Sequence, residues 1–230
     1  MKINGVLLQK AFLKTVPVCA GYIVLGMGFG IMMNDAGFSP VFALAMSLFI
    51  YAGSMQYAGV SLLASGASVL TTALMTVLIN ARHLFYALAM VVKYRGARWE
   101  KPYLIFALTD ETYSLVCDGK CPDGMDPYAY WFMISLFDQI YWVLGTLLGV
   151  IVAGSFAFDS SGIDFAMTAL FVSTFVEQWL TNENHIPAIT GVVVTVISRV
   201  LFGTDLFLIP SMILITSILL ILRRRCEHGE

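Results

Sequence analysis

The sequence predicts an all-α polytopic membrane protein of six to eight membrane segments, arranged as two inverted repeats with broken or re-entrant helices. Three observations carry this fold class. Composition is the first: 59% of the residues are hydrophobic and 12% charged, against roughly 25% charge in a soluble domain. The second is the stretch from Ala36 to Ala81, 46 residues without an Asp, Glu, Lys, Arg or His. About 20 apolar residues cross a hydrocarbon core of roughly 30 Å, so this stretch holds chain for two crossings. The third is an internal echo. Val24-Leu25-Gly26-Met27-Gly28-Phe29-Gly30 returns as Val143-Leu144-Gly145-Thr146-Leu147-Leu148-Gly149 at an offset of 119. Leu48-Phe49 with Gln56 returns as Leu170-Phe171 with Gln178 at an offset of 122.

Apolar segments fall at about 15–33, 40–62, 67–92, 102–117, 128–153, 163–181, 186–203 and 205–222. Ten of the thirteen basic residues sit in three places: Lys2, Lys10 and Lys14; Lys93, Arg95, Arg98 and Lys101; Arg223, Arg224 and Arg225. The positive-inside rule makes all three cytoplasmic, with both termini inside. The loop from Asp118 to Pro127 carries Asp118, Asp123 and Asp126 against Lys120 alone, and is expected outside. Three full crossings before Lys93 would strand the most basic loop on the wrong side, so one segment in each half is expected to be broken or re-entrant. The chain then reads as one transmembrane domain over residues 1–230, with repeat one at about 10–117 and repeat two at about 128–222. A first half that begins inside and a second that begins outside make the repeats inverted. Transporters place a substrate site near the midplane between such repeats.

In the first segment Gly26 and Gly30 form a GxxxG face for close helix contact. Ser39-Pro40 suits a helix start, a hydroxyl N-cap followed by a residue that needs no amide donor. In the second segment Gly53, Ser54 and Gln56 put small and polar groups where a lipid-facing helix would carry Leu, which requires a protein or cavity partner. The third ends in Asn80-Ala81-Arg82-His83. An Arg at that depth costs on the order of 2.5 kcal/mol or more unless it finds a partner or snorkels to the interface; Asn80 cannot snorkel. The fourth holds Asp110 and Glu111 side by side. A carboxylate taken out of water holds its proton more tightly, which suits proton coupling or the grip of an ammonium. In the second half Asp138 precedes the Gly145 to Gly149 face, and Glu177-Gln178 stand where Met55-Gln56 stand in the first.

The substrate-binding set read from these patterns is Gly53, Ser54, Gln56, Asn80 and Gln178. The coupling or charge-pairing set is Asp110, Glu111, Arg82, His83, Asp138 and Glu177. No metal site and no cofactor is implied. The four cysteines, Cys19, Cys117, Cys121 and Cys226, include no CxxC and read as small core residues. The dispersed basic residues form no patch interleaved with base-stacking aromatics, which excludes nucleic acid. The basic start before an apolar run mimics a signal peptide, yet the run reaches about Met33 without a small-x-small cleavage site and reads as a retained span. No Walker A sequence appears, so the energy for transport would come from a gradient.

Pro17 with the Gly26 to Gly30 region, Ala52-Gly53-Ser54-Met55-Gln56, Asn80-Ala81-Arg82-His83, Thr109-Asp110-Glu111, Gly145-x-x-x-Gly149 and Asp164-Phe165-Ala166 together resemble the AzlC family. This is the large subunit of two-component branched-chain amino-acid exporters. The resemblance runs from about residue 10 to 222. It implies a permease of the cytoplasmic (inner) membrane that exports branched-chain and similar hydrophobic amino acids beside a small AzlD-type membrane subunit. Ser54-Met55 departs from the two small residues that more often precede the Gln, and bears on side-chain preference if Met55 lines the site. Two other classes compete. An intramembrane enzyme has no HExxH or GxSxG here, only Ser54 with His83 as a conceivable pair. A channel or an assembly subunit without its own transport activity would not need inverted repeats.

Overall fold

The computed structural model describes residues 4–155 and 184–227, with residues 172, 175–176 and 179–180 between them. Glu177, Gln178 and Asp164-Phe165-Ala166 lie outside the described residues. Every regular element among the described residues is a helix. Two units emerge, Met1–Met167 and Thr168–Glu230. The first holds α1 (Gly5–Asp35), α2 (Pro40–Phe49), α3 (Gly53–Ala64), α4 (Val69–Asn80), α5 (Arg82–Met90), a 3₁₀ turn (Lys93–Gly96), α6 (Lys101–Phe106), α7 (Asp110–Val116) and α8 (Pro127–Ser155). The second holds α9 (Ile186–Leu206), kinked at Gly203 with φ 76°, and α10 (Leu208–Glu227).

Helix starts follow local chemistry. The side chains of Asn4, Ser39, Ser68 and Thr109 accept hydrogen bonds from the amides of Leu7, Phe42, Thr71 and Thr112, each satisfying an N–H that the first turn leaves open. Pro40 follows Ser39 as expected.

The two long helices pack glycine against backbone. A Cβ on Gly26 would stand 2.6 Å from the Trp142 carbonyl oxygen, and one on Gly145 would stand 2.6 Å from that of Ile23. Gly30 meets Thr146 and Gly149 meets Met27 even more closely. Lipid tails are as apolar as Leu, so close backbone approach rather than water exclusion holds such a seam. Phe12 packs edge-on against Phe137, and the Thr15 and Tyr141 hydroxyls are 3.0 Å apart. All these pairs advance together along the chain, so α1 and α8 run parallel. The echo at an offset of 119 thus joins two helices of like direction and gives no inverted relation between the halves.

The acidic loop also departs from expectation. Leu7 and Ala11 of α1 share one buried cluster with Tyr94, Leu104, Leu108, Val116, Ala129 and Tyr130, against which Cys121 and Met125 pack. Lys93 lies against Gly119, its Cε 3.5 Å from the Cβ position. The N-terminal end of α1, the basic loop and the Asp118 to Pro127 loop therefore share one end of the bundle, which overturns the expectation that the acidic loop lies on the side opposite the basic residues. The physical reason is length. α6 has six residues and α7 seven, about 1.5 Å of rise each, so the pair falls short of a crossing and returns to the end it left.

α2 and α3 make a second hairpin, entering from the opposite end. Gln56 Nε2 reaches Ser47 Oγ at 3.3 Å, and a Cβ on Gly59 would lie 3.6 Å from Met46 Cε, so the two arms lie side by side. With α2–α3 re-entrant, α4 and α5, bent by 49°, return the chain to the basic end. The re-entrant α2–α3 thus brings the basic loop back to the end where α1 begins, and α6–α7 leaves the Asp118 to Pro127 loop at that same end. Among the described residues Gly5–Asp35, Pro127–Ser155 and Ile186–Gly203 are long and apolar enough to cross a membrane, and α4 with α5 makes a fourth if the bent pair is one span. The chain is a multi-pass membrane protein.

Candidate functional site

The tips of the two hairpins meet beside the middle of α1 and α8. The α2–α3 tip is Ile50-Tyr51-Ala52, and Tyr51 adopts φ 44°. A residue with a side chain in that region carries strain on the order of 1–2 kcal/mol, which persists only where packing over-determines it. Tyr51 is 3% exposed and its ring lies 6.2 Å from that of Phe106. The α6–α7 tip is Ala107-Leu108-Thr109. Both α3 and α7 begin at these tips, so two helix N-termini point into the centre, α7 with Asp110 and Glu111 in its first turn and α3 without a side-chain cap.

One polar chain runs through the centre. The Tyr22 phenol donates to Glu111 Oε2 at 2.7 Å and lies 2.6 Å from Thr109 Oγ1. Thr109 donates to Thr112 Oγ1 at 3.1 Å, and Thr112 donates to Asp138 Oδ2 at 2.8 Å. Asp138 is fully buried, and its Oδ1 makes no hydrogen bond. Two carboxylates on different helices are thus joined through hydroxyls, each of which can donate and accept. Beside Asp138, the Gln139 amide donates to the Leu48 carbonyl at 3.1 Å and accepts from the Tyr103 phenol at 2.6 Å. One side chain of α8 therefore holds both hairpins.

A second group is ionic. Arg82 Nη1 lies 2.7 Å from Asp110 Oδ2, and Arg82 Nη2 donates to Ser54 Oγ at 2.6 Å. Arg82 starts α5 after the bend at Ala81, so one guanidinium ties the α4–α5 bend to the first turns of α3 and α7. The two charged side chains are about a quarter exposed, 27% and 24%.

Of the residues expected from sequence, Ser54, Arg82, Asp110, Glu111 and Asp138 fall into these two groups. Gly53 faces Trp142, whose Cη2 would stand 3.1 Å from a Cβ there. Gln56 is fully buried in a chain with Ser47 and Thr146, its Oε1 without a partner. Asn80 and His83 instead line a cavity between α5 and α6. His83 Nδ1 lies 3.2 Å from the Asn80 carbonyl and Ser54 is held by Arg82, so the Ser54 with His83 pair of an intramembrane hydrolase is not formed. Sequence reasoning missed Tyr22, Tyr51, Thr109, Thr112 and Gln139. Thr109 was detectable as an N-cap before two acidic residues; Tyr22 and Gln139 look like ordinary residues of long apolar helices and are found only through their partners.

No solved structure matches this chain. The family model described as AzlC protein matches residues 17–156, which includes α2 to α7 whole and both glycine faces. The branched-chain amino acid transport protein AzlC of Bacillus subtilis (strain 168) is 38% identical over 96% of this chain and 87% of its own length. An uncharacterized membrane protein of Helicobacter pylori (strain J99) is 38% identical over 95% of this chain and 96% of its own. The inner membrane protein YgaZ of Escherichia coli (strain K12) is 26% identical over 87% of this chain and 82% of its own. With the match spanning both hairpins and the helices that clasp them, the chain belongs to the AzlC family.

Proposed function

We propose that this chain is a secondary transporter that moves branched-chain or similar hydrophobic amino acids outward across the cytoplasmic membrane, coupled to protons and working with a small AzlD-type membrane subunit. The observation that carries the reading is the meeting of two hairpins, entered from opposite ends, on a buried polar centre. Irregular backbone at membrane depth is tolerated only where protein or a cavity takes up its polar groups. Each hairpin closes the centre from one side, and alternating access follows if they withdraw in turn. The two hairpins enter the first unit from opposite ends, within a chain of six to eight membrane segments.

The Arg82–Asp110 pair has the charges of a zwitterion. A substrate carboxylate takes the place of Asp110 on Arg82, near Ser54 and the uncapped start of α3, where helix amides favour an anion. Its ammonium takes the place of Arg82 on Asp110. Glu111 and Asp138, linked through Tyr22, Thr109 and Thr112, carry the proton. Lys10, Lys14 and the Lys93 to Lys101 loop at one end of the first unit support a cytoplasmic N-terminus, and Arg223 to Arg225 support a cytoplasmic C-terminus. The names borne by the Bacillus and Escherichia relatives support the substrate class and the inner membrane.

The test is leucine flux in proteoliposomes holding this chain with and without the small subunit, under imposed proton gradients of both signs. Outward leucine movement that follows the proton gradient and needs the subunit is expected. The absence of amino-acid flux in every arm would remove the reading.

A further inference from the structure

The cavity that takes up Asn80 and His83 has a volume of about 340 Å³, within the range of small-molecule sites. It lies between α5 and α6 at the basic end of the bundle. Its walls are largely apolar, with buried Met90 and Leu108 among them, and four polar side chains interrupt them: Asn80, His83, Tyr94 and Lys101. Two of the four are unsatisfied. Tyr94 is 2% exposed and its hydroxyl has no hydrogen-bond partner; Asn80 Oδ1 is likewise buried without one. A buried acceptor left open costs free energy that a bound donor returns.

We infer that this cavity is a binding site for a zwitterion with a branched apolar side chain, where cargo is captured at the basic end before it reaches the hairpin tips. The inference rests on the reading above that the cargo is an amino acid. Once the Asn80 side chain turns into the cavity its amide oxygen is an acceptor suited to an ammonium, and the Lys101 ammonium is a partner for a carboxylate. The apolar walls take the side chain. A hydrocarbon tail would leave the Tyr94 hydroxyl and the Asn80 carbonyl unpaired, and an amine without a carboxylate would leave Lys101 without a counter-charge. His83 directly follows Arg82 at the start of α5, and Leu108 adjoins Thr109 of the α6–α7 tip. The cavity therefore adjoins the ion pair that the zwitterion is to replace.

Binding of radiolabelled leucine to the full chain in detergent tests the inference, with isovalerate, isopentylamine and glycine as competitors. Leucine is expected to compete and the other three, each lacking the ammonium, the carboxylate or the apolar side chain, to compete poorly. Ala87→Phe fills the cavity and is expected to weaken leucine binding at least tenfold, about the loss that excluding the apolar side chain implies. Tyr94→Phe is expected to weaken it about fivefold. Should Ala87→Phe misfold, Ala87→Cys reads the same site: leucine, and not isovalerate, is expected to slow maleimide alkylation at position 87, followed by mass spectrometry. Wild-type leucine binding with unaltered affinity in folded Ala87→Phe, or without protection at position 87, overturns the inference and leaves the transporter reading standing. If the wild-type chain, with or without the small subunit, neither binds nor moves any amino acid, that reading fails and the inference falls with it.

Discussion

Asp110 and Glu111 are neighbours in the chain and face different partners: Asp110 Oδ2 lies 2.7 Å from Arg82 Nη1, and Glu111 Oε2 accepts from the Tyr22 phenol at 2.7 Å. Successive residues of a helix diverge by about 100°, so one first turn serves both the ionic group and the hydroxyl chain. The two carboxylates are expected to differ in what their loss does.

Glu111→Gln and Asp138→Asn keep the shape of the hydroxyl chain and remove a proton carrier from either end. Leucine counterflow in proteoliposomes is expected to persist in both, while net export stops responding to the imposed proton gradient. Wild-type dependence on that gradient in both variants would move the coupling to His83 or Glu177.

Asp110→Asn breaks the ion pair and leaves the Arg82 guanidinium with Ser54. Here counterflow itself is expected to fall, along with thermal stability. A double-mutant cycle with Arg82→Gln should return a coupling energy of about 1 kcal/mol in detergent unfolding. Additive single effects would show that the two side chains do not support each other.

Gln56→Leu replaces a buried amide whose Oε1 is unpaired and spares the Ser47–Thr146 hydrogen bond. The variant is expected to fold and reach the membrane yet to lose transport, because the amide is needed when the α2–α3 hairpin moves and its oxygen finds a donor. Full export by Gln56→Leu would make the residue a packing element.

Along the seam of α1 and α8, Gly145→Ala sets a methyl against the Ile23 carbonyl. The strain is expected to cost about 2 kcal/mol, read as a lowered midpoint of thermal unfolding. Gly154, on the same helix with nothing within 4 Å of a Cβ, serves as the control; Gly154→Ala should be neutral or slightly stabilising.

The class of the fold was legible because lipid leaves a compositional mark that needs no partner to read. The limits of α8 and α9 followed from the same signal, and the Ser39-Pro40 start from cap chemistry. Direction was harder. Gly26-x-x-x-Gly30 and Gly145-x-x-x-Gly149 show that backbones approach, yet the same spacing serves parallel and antiparallel neighbours. Charge misplaced the Asp118 to Pro127 loop because the positive-inside rule counts Lys and Arg and gives acidic residues little weight. Asp110, Glu111, Arg82 and Asp138 stood out as charges inside apolar segments. The hydroxyls that join them did not, since Thr and Tyr are common in membrane helices and acquire meaning only from what lies opposite.

The parallel seam also sets a problem for biogenesis. α1 is synthesised before α8, carrying Thr15 and a glycine face whose partners across the bundle all lie on α8. Every residue between Asp35 and Pro127, both hairpins included, must be synthesised before those partners exist. Until then the young helix waits in the bilayer, or in the shelter of the insertion machinery, with that face uncovered. Assembly of this unit is therefore expected to complete late, when α8 slides in beside α1 and closes around hairpins that could not have been fixed before it arrived.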